Sequence, residues 1–158
     1  PDIVTFAKAV TSGYQPLGGV FLGPGPCAAL ESDPDFFLRH GFTYSGHPAA
    51  CAAGLANLSI IEREGLVERA KHVGLRIHHG LQALADDGVI DHTRGEGAMR
   101  AAVLRPDQNA MSIRDEMLRR GVICRAINTD TLTFCPPLVI TDAQIDRIVD
   151  TVAAVAGG

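Results

Sequence analysis

Three residues stand where their chemistry is out of keeping with their neighbours. Lys8, one of two lysines in 158 residues, closes the apolar run Ile3-Val4-Thr5-Phe6-Ala7 and precedes the small, turn-prone stretch Ala9 to Gly13. An ammonium among such residues is expected to be desolvated. Desolvation disfavours the charged form, lowers the pKa and leaves a nucleophilic amine able to form a Schiff base. A lysine at a strand end can also snorkel to solvent, and pattern alone leaves that alternative open. Lys71, beside Glu68 and Arg69 in a helical pattern, reads as a solvated surface residue. Thr43 precedes a helix expected to start near Pro48, where a hydroxyl and free backbone amides make a natural phosphate site. A threonine ahead of a Gly-x-Pro turn can equally be a local hydrogen-bonding residue. Arg125 interrupts the apolar run from Val122 to Ile127, a costly position unless the guanidinium meets an anion or reaches water at a sheet edge.

The elements that must position these groups follow from periodicity. Ile3 to Ala7 reads as a buried strand, Gly18 to Gly23 as a second, both suited to a covered sheet, and Pro24-Gly25-Pro26 as the turn that ends the second. Pro48 occupies a first helical position, with a stripe at Cys51, Leu55 and Leu58. Gly65 weakens the helix locally, and the stripe resumes at Leu66, Ala70, Val73, Ile77, Leu81 and Leu84. Asp86-Asp87-Gly88 reads as the turn that ends it. Beyond it a compact α/β unit is expected, with strands at Val89-Ile90, Met99 to Leu104, Val122 to Ile127 and Leu132 to Phe134. One helix is expected to open after Ser112, with Asp115 three places on, and another at the capping box of Thr141 and Gln144. The divisions expected are 1–48, a helical connector over 49–87, and 88–158.

Composition narrows the classes. Hydrophobic residues at 46%, charged residues at 20% and a net charge of -4 describe a globular chain without the basic field that gathers nucleic acid. No apolar run reaches membrane-spanning length and the N-terminus lacks the order of a signal peptide, so a cytoplasmic location is expected. Cys27, Cys51, Cys124 and Cys135 form no C-x-x-C pair and are expected to be reduced, mostly buried thiols. His78-His79 lacks ligands at metal spacing, and Arg94-Gly95-Glu96-Gly97 lacks the third glycine of a dinucleotide fingerprint and reads as a tight turn before a strand. The chain opens on Pro1 and almost at once on a strand, which suggests a piece of a longer polypeptide.

The segments Pro1 to Lys8, Thr11-Ser12-Gly13-Tyr14, Pro16-Leu17-Gly18-Gly19, Gly41 to Pro48, Arg94-Gly95-Glu96-Gly97 and Cys135-Pro136-Pro137-Leu138 occur in this order. Together they resemble the class III, pyridoxal-phosphate-dependent aminotransferases along the whole chain. The resemblance implies an α/β fold of fold-type I, comprising the end of the large cofactor domain and the small C-terminal α/β domain. It also implies a homodimer. The lysine matching Lys8 then bonds pyridoxal 5'-phosphate as a Schiff base and later shuttles a proton, a task that small neighbours such as Ala7, Ala9, Ser12 and Gly13 suit. The threonine matching Thr43 binds the phosphate of the cofactor held by the opposite subunit. Ser45 and His47 read as turn and helix-start residues.

Arg125 matches the arginine that, in the ω-aminotransferases, moves in for a substrate carboxylate and out for an uncharged group; a guanidinium fork suits that task. Thr133 stands where the 4-aminobutyrate and ornithine branch carries an arginine, so the amine or ω-amino acid:pyruvate branch is favoured. The expected reaction is ping-pong amino transfer from an amine or ω-amino acid to a 2-oxo acid such as pyruvate. Other groups of the family's site lie upstream of the matched region, so these 158 residues alone are expected to bind cofactor poorly and turn over nothing. The alternatives are a non-catalytic folding or dimerisation module and an aminomutase or decarboxylase of the same fold.

Overall fold

The computed structural model describes residues 1–158 and contains two compact units, Pro1–Glu64 and Gly65–Gly158. In the first unit, strand β1 (Ile3–Ala7) pairs antiparallel with β2 (Gly18–Leu22), Phe6 lying opposite Gly19. The Phe6 ring lies over that glycine and stacks on Phe21 with centroids 4.9 Å apart; a Cβ on Gly19 would sit 2.4 Å from Phe6 Cζ. Both strands fall where the β-favouring runs put them. They are not covered as expected: Ile3 is 55% and Phe21 64% exposed, because a two-stranded ribbon offers these side chains no opposing layer within the unit.

Pro24-Gly25-Pro26 is not a turn. It opens helix α1 (Pro24–Glu31), with Gly23 as N-cap and Pro24 in the first turn, where a missing amide hydrogen costs nothing and the fixed φ is already helical. Helix α2 (Pro48–Arg63) begins at Pro48 as expected but turns a different face inward. Ala50 and Gly54 are buried, whereas Cys51, Leu55 and Leu58 are exposed. Small residues let α2 come close to the segment after β1: a Cβ on Gly54 would meet Leu17 at 3.0 Å. The helical stretch expected as one connector is divided. Gly65, at φ 60, ends the path of α2 and serves as N-cap of α3 (Leu66–Asp86).

The second unit is a four-stranded antiparallel sheet in the order β3-β4-β6-β5, formed by β3 (His92–Glu96), β4 (Met99–Val103), β5 (Arg125–Ile127) and β6 (Thr131–Phe134). Helices α3, α4 (Ala110–Arg119) and α5 (Asp142–Ala156) cover one face. The α3 stripe is as expected from Val73 onward: Val73, Ile77 and Leu81 are fully buried with Leu132, Phe134, Ile145 and Val152. Val89-Ile90 is not a strand. The amides of Gly88, Val89 and Ile90 donate to Ala85 and Leu84 carbonyls of the α3 end, Gly88 at φ 71 makes the reversal, and Ile90 drops into the core. Helix α4 opens earlier than expected, because Asn109 accepts from the amides of Met111 and Ser112. The Thr141–Gln144 capping box opens α5 as expected.

Ion pairs tie α3 to α5. Asp142, in the first turn of α5, accepts from His72 at 3.1 Å and from Arg69 at 3.0 Å, while Arg76 forks onto Asp146 at 2.7 and 2.8 Å. These bonds, His72 first, hold the Asp142 carboxyl below the usual carboxylate range. A depressed folded value means that the contribution is present above the unfolded carboxylate pKa of about 3.9 and is lost as pH falls through the lowered value. Urea midpoints measured from pH 6 downward are therefore expected to fall more gently below about pH 4 for Asp142→Asn than for the unaltered chain; parallel curves would remove Asp142 from the account.

Candidate active site

Lys8 begins a single 3-10 turn (Lys8–Thr11) at the end of β1. Its φ is 54 and that of Ser12 is 49, left-handed backbone that a non-glycine residue adopts only when its surroundings hold it there. What holds it is Asn57 of α2, a residue that no sequence pattern singles out. Asn57 Nδ2 donates to the carbonyls of Ala9 at 2.8 Å and Val10 at 3.2 Å, and its Oδ1 accepts from the Ser12 hydroxyl at 2.8 Å. Thr11, 1% exposed, closes the turn by donating its hydroxyl to the Gln15 carbonyl at 2.5 Å. The expected desolvation of Lys8 is not supplied by these residues. Its side chain is exposed and bonds no partner, because the β1–β2 ribbon is uncovered.

Thr43 belongs to the same unit and is exposed in the turn before α2. Ser45 shapes that turn, accepting from the Phe42 amide at 3.0 Å, while its own amide donates to the Phe42 carbonyl; Gly46 sits at φ 70. His47 is the N-cap of α2, without a side-chain cap bond, and the Thr43 hydroxyl has no partner. Ser45 and His47 are thus turn and helix-start residues, as expected. The free hydroxyl and the uncapped first amides of α2 are the donor types that a phosphate ester takes. No hydrogen bond or ion pair links Lys8 to Thr43.

Arg125 lies in the second unit, on the edge strand β5, which is only three residues long, and it is exposed. Its apolar neighbours Val122 and Cys124 are not strand residues; Val122 instead donates its amide to Met117 at the end of α4. Arg125 is directly opposite Thr133, whose hydroxyl donates to the Arg125 carbonyl at 3.0 Å. Both line a hollow of about 790 Å³ on the sheet, together with Arg94, Ala101, Ile123 and Cys135. Gly97 and Ala98 form the turn between β3 and β4, whereas Arg94 and Glu96 are themselves strand residues.

The four cysteines are free, but they are less buried than expected: Cys51 and Cys135 are exposed, Cys27 and Cys124 half-buried. Burial pushes the Cys124 thiol up to about 11, with Arg114 offsetting only part of the shift. Iodoacetamide at pH 8 is expected to modify Cys51 and Cys135 at least about tenfold faster than Cys124. Equal labelling would mean that Cys124 is open to water.

Comparison with known proteins identifies the family. The family model "Aminotransferase class-III" matches residues 1–155. A diaminobutyrate–2-oxoglutarate transaminase of Halomonas elongata is 41% identical over 94% of the chain and 35% of its own length. A putrescine–pyruvate aminotransferase of Pseudomonas aeruginosa is 36% identical over 94% of the chain and 34% of its own length. The chain thus spans about a third of the length of these relatives. Among solved structures, an (S)-enantioselective ω-transaminase from Thermomicrobium roseum superposes with a TM-score of 0.90 at 37% identity, covering 99% of this chain and 37% of that one. An amine transaminase from an uncultivated Pseudomonas species, described in its PLP-bound form, superposes with a TM-score of 0.89 at 36% identity, covering 99% of this chain and 38% of that one. Matched over nearly its whole length, the chain belongs to the class III aminotransferases, whose cofactor is pyridoxal 5'-phosphate.

Proposed function

We propose that the protein carrying this chain transfers an amino group from an amine or ω-amino acid to a 2-oxo acid such as pyruvate, as a cytoplasmic homodimer. The observation that carries this reading is Lys8 itself, an amine without a partner on a turn that Asn57 fixes through three hydrogen bonds. Pyridoxal phosphate, when bound, supplies an electron sink. Lys8 would hold its aldehyde end, and the freed Nζ would move a proton at the substrate carbon that bears nitrogen. Thr43 would grip its phosphate across the dimer, with the first amides of α2. Arg125 would take the carboxylate of a substrate through its guanidinium fork. Thr133, opposite Arg125, stands where the 4-aminobutyrate and ornithine branch carries an arginine, which favours the amine or ω-amino acid:pyruvate branch. In this reading residues 1–48 end a large domain, 49–87 connect, and 88–158 form the small domain.

A screen of amines and ω-amino acids against pyruvate and 2-oxoglutarate, on the cofactor-loaded protein, tests the assignment. Arg125→Ala is expected to raise KM for pyruvate by about 10- to 100-fold and to leave KM for an uncharged amine unchanged. Equal effects on both would remove Arg125 from carboxylate binding. The 158 residues by themselves are expected to turn over nothing. A second reading, a folding or dimerisation module, draws on the exposed Phe21, Phe37, Phe42 and Leu55 of the first unit; transfer of nitrogen to pyruvate would exclude it. A mutase or decarboxylase of the same fold would pass no nitrogen to pyruvate.

A further inference from the structure

The sheet of the second unit has two unlike faces. Ala102, Leu132 and Phe134 turn to the helices. On the other face a single cross-strand row runs Arg94, Ala101, Thr133, Arg125: Arg94 is opposite Ala101, Ala101 opposite Thr133, and Thr133 opposite Arg125. Residues directly opposite in antiparallel strands share a face, so both guanidinium groups rise from one surface and line one hollow. Three interstrand steps separate their Cα atoms by roughly 14 Å. The two residues between them are small, which leaves room for the long side chains to lean inward.

The other cations of this unit are occupied. Arg69, Lys71, Arg76, Arg105, Arg114, Arg119 and Arg120 bond carboxylates, and Arg100 and Arg147 bond backbone carbonyls. Arg94 and Arg125 alone have neither. The acid lining their hollow is Glu96, two residues on from Arg94, and its Oε1 accepts from the Gly97 amide at 3.3 Å without an ion pair. Two unneutralised guanidinium groups at opposite ends of one row, with an alanine and a threonine between them, match two separated carboxylates joined by a short hydrocarbon chain. A single compact anion would engage only one end.

We propose that Arg94 is a specificity-determining residue which binds the second carboxylate of a short dicarboxylic substrate while Arg125 binds the first. This rests on the reading of Arg125 as a carboxylate binder. Monocarboxylates then use Arg125 alone, and Arg94 sets how well the hollow accepts a dicarboxylate.

Glutarate, propionate and inorganic phosphate, titrated separately into the protein while the arginine side-chain NMR signals are followed, test the clamp without cofactor or turnover. Glutarate is expected to move both the Arg94 and the Arg125 signals and to bind about tenfold tighter than propionate or phosphate. Arg94→Gln should bring glutarate down to the propionate level and leave propionate within about twofold, with Arg94→Lys between the two. Glutarate binding no tighter than propionate, phosphate binding as tightly as glutarate, or Arg94→Gln weakening both acids alike would overturn the proposal. A protein that shows the clamp but transfers no nitrogen would refute the transaminase reading alone. An active transaminase indifferent to Arg94 would refute the clamp alone.

Discussion

Lys8→Ala is expected to lower the rate of amino transfer by about 10³-fold or more in the cofactor-loaded protein, because in the proposed reading one substitution would remove both the covalent anchor and the base. The fold should be unaffected: Lys8 is exposed and its side chain bonds nothing. Lys71→Ala is the matched control, since Lys71 pairs only with Glu68 on the surface of α3 and should leave the rate unchanged. Asn57→Ala should fall between them. It keeps the amine but removes the bonds to the Ala9 and Val10 carbonyls and the Ser12 hydroxyl, so the turn that carries Lys8 keeps its Ser12–Ala9 backbone bond and loses its ties to α2. Comparable rates for Lys8→Ala and the unaltered protein would end the assignment.

Gly74→Ala is expected to destabilise the second unit by about 3 kcal/mol, although alanine is the better helix former by about 1 kcal/mol. A Cβ at position 74 would stand 1.7 Å from the Gly97 carbonyl oxygen and 2.4 Å from its carbon. These are backbone atoms of the β3–β4 turn, where Gly97 is itself held at φ 51, so no rotamer change relieves the overlap. Either α3 or the hairpin must shift. Thermal unfolding should show a fall in Tm of more than about 10 °C. Gly80→Ala should cost less, because its Cβ would meet the Val149 side chain, with the two methyl groups at 2.6 and 2.9 Å and Cβ at 3.2 Å, and a side chain yields more readily than backbone. A neutral Gly74→Ala would mean that the helix and the turn do not approach this closely.

Elements with strong local signals were readable from the chain. The α3 stripe, the Thr141 capping box and the strands β1, β2, β4 and β6 lie where periodicity and capping residues put them, since each signal is carried within a few residues. The misses arise where a competing local rule or a distant partner decides. Pro24 and Pro26 suggest a turn, yet proline in the first turn of a helix is unopposed, and Cys27 to Glu31 continue it. Val89 and Ile90 have strand-like side chains, but their amides complete the α3 cap. In α2 the larger residues suggested the inner face, whereas close approach to the Lys8 turn selects Ala50 and Gly54.

The site divides in the same way. Lys8, Thr43 and Arg125 were legible as residue types out of keeping with their surroundings. The exposure of Lys8 was not, because burial at a strand end depends on what covers the ribbon. Asn57 is 48 residues from the Ala9 carbonyl it bonds, and Arg94 shares a face with Arg125 only through the pairing of four strands.

Borohydride reduction of the protein loaded with pyridoxal phosphate, followed by peptide mapping, tests the central claim most directly. Only Lys8 and Lys71 offer side-chain amines in these 158 residues. The account predicts a phosphopyridoxyl group on Lys8 and none on Lys71; a tag on Lys71, or an unmodified Lys8, would contradict it.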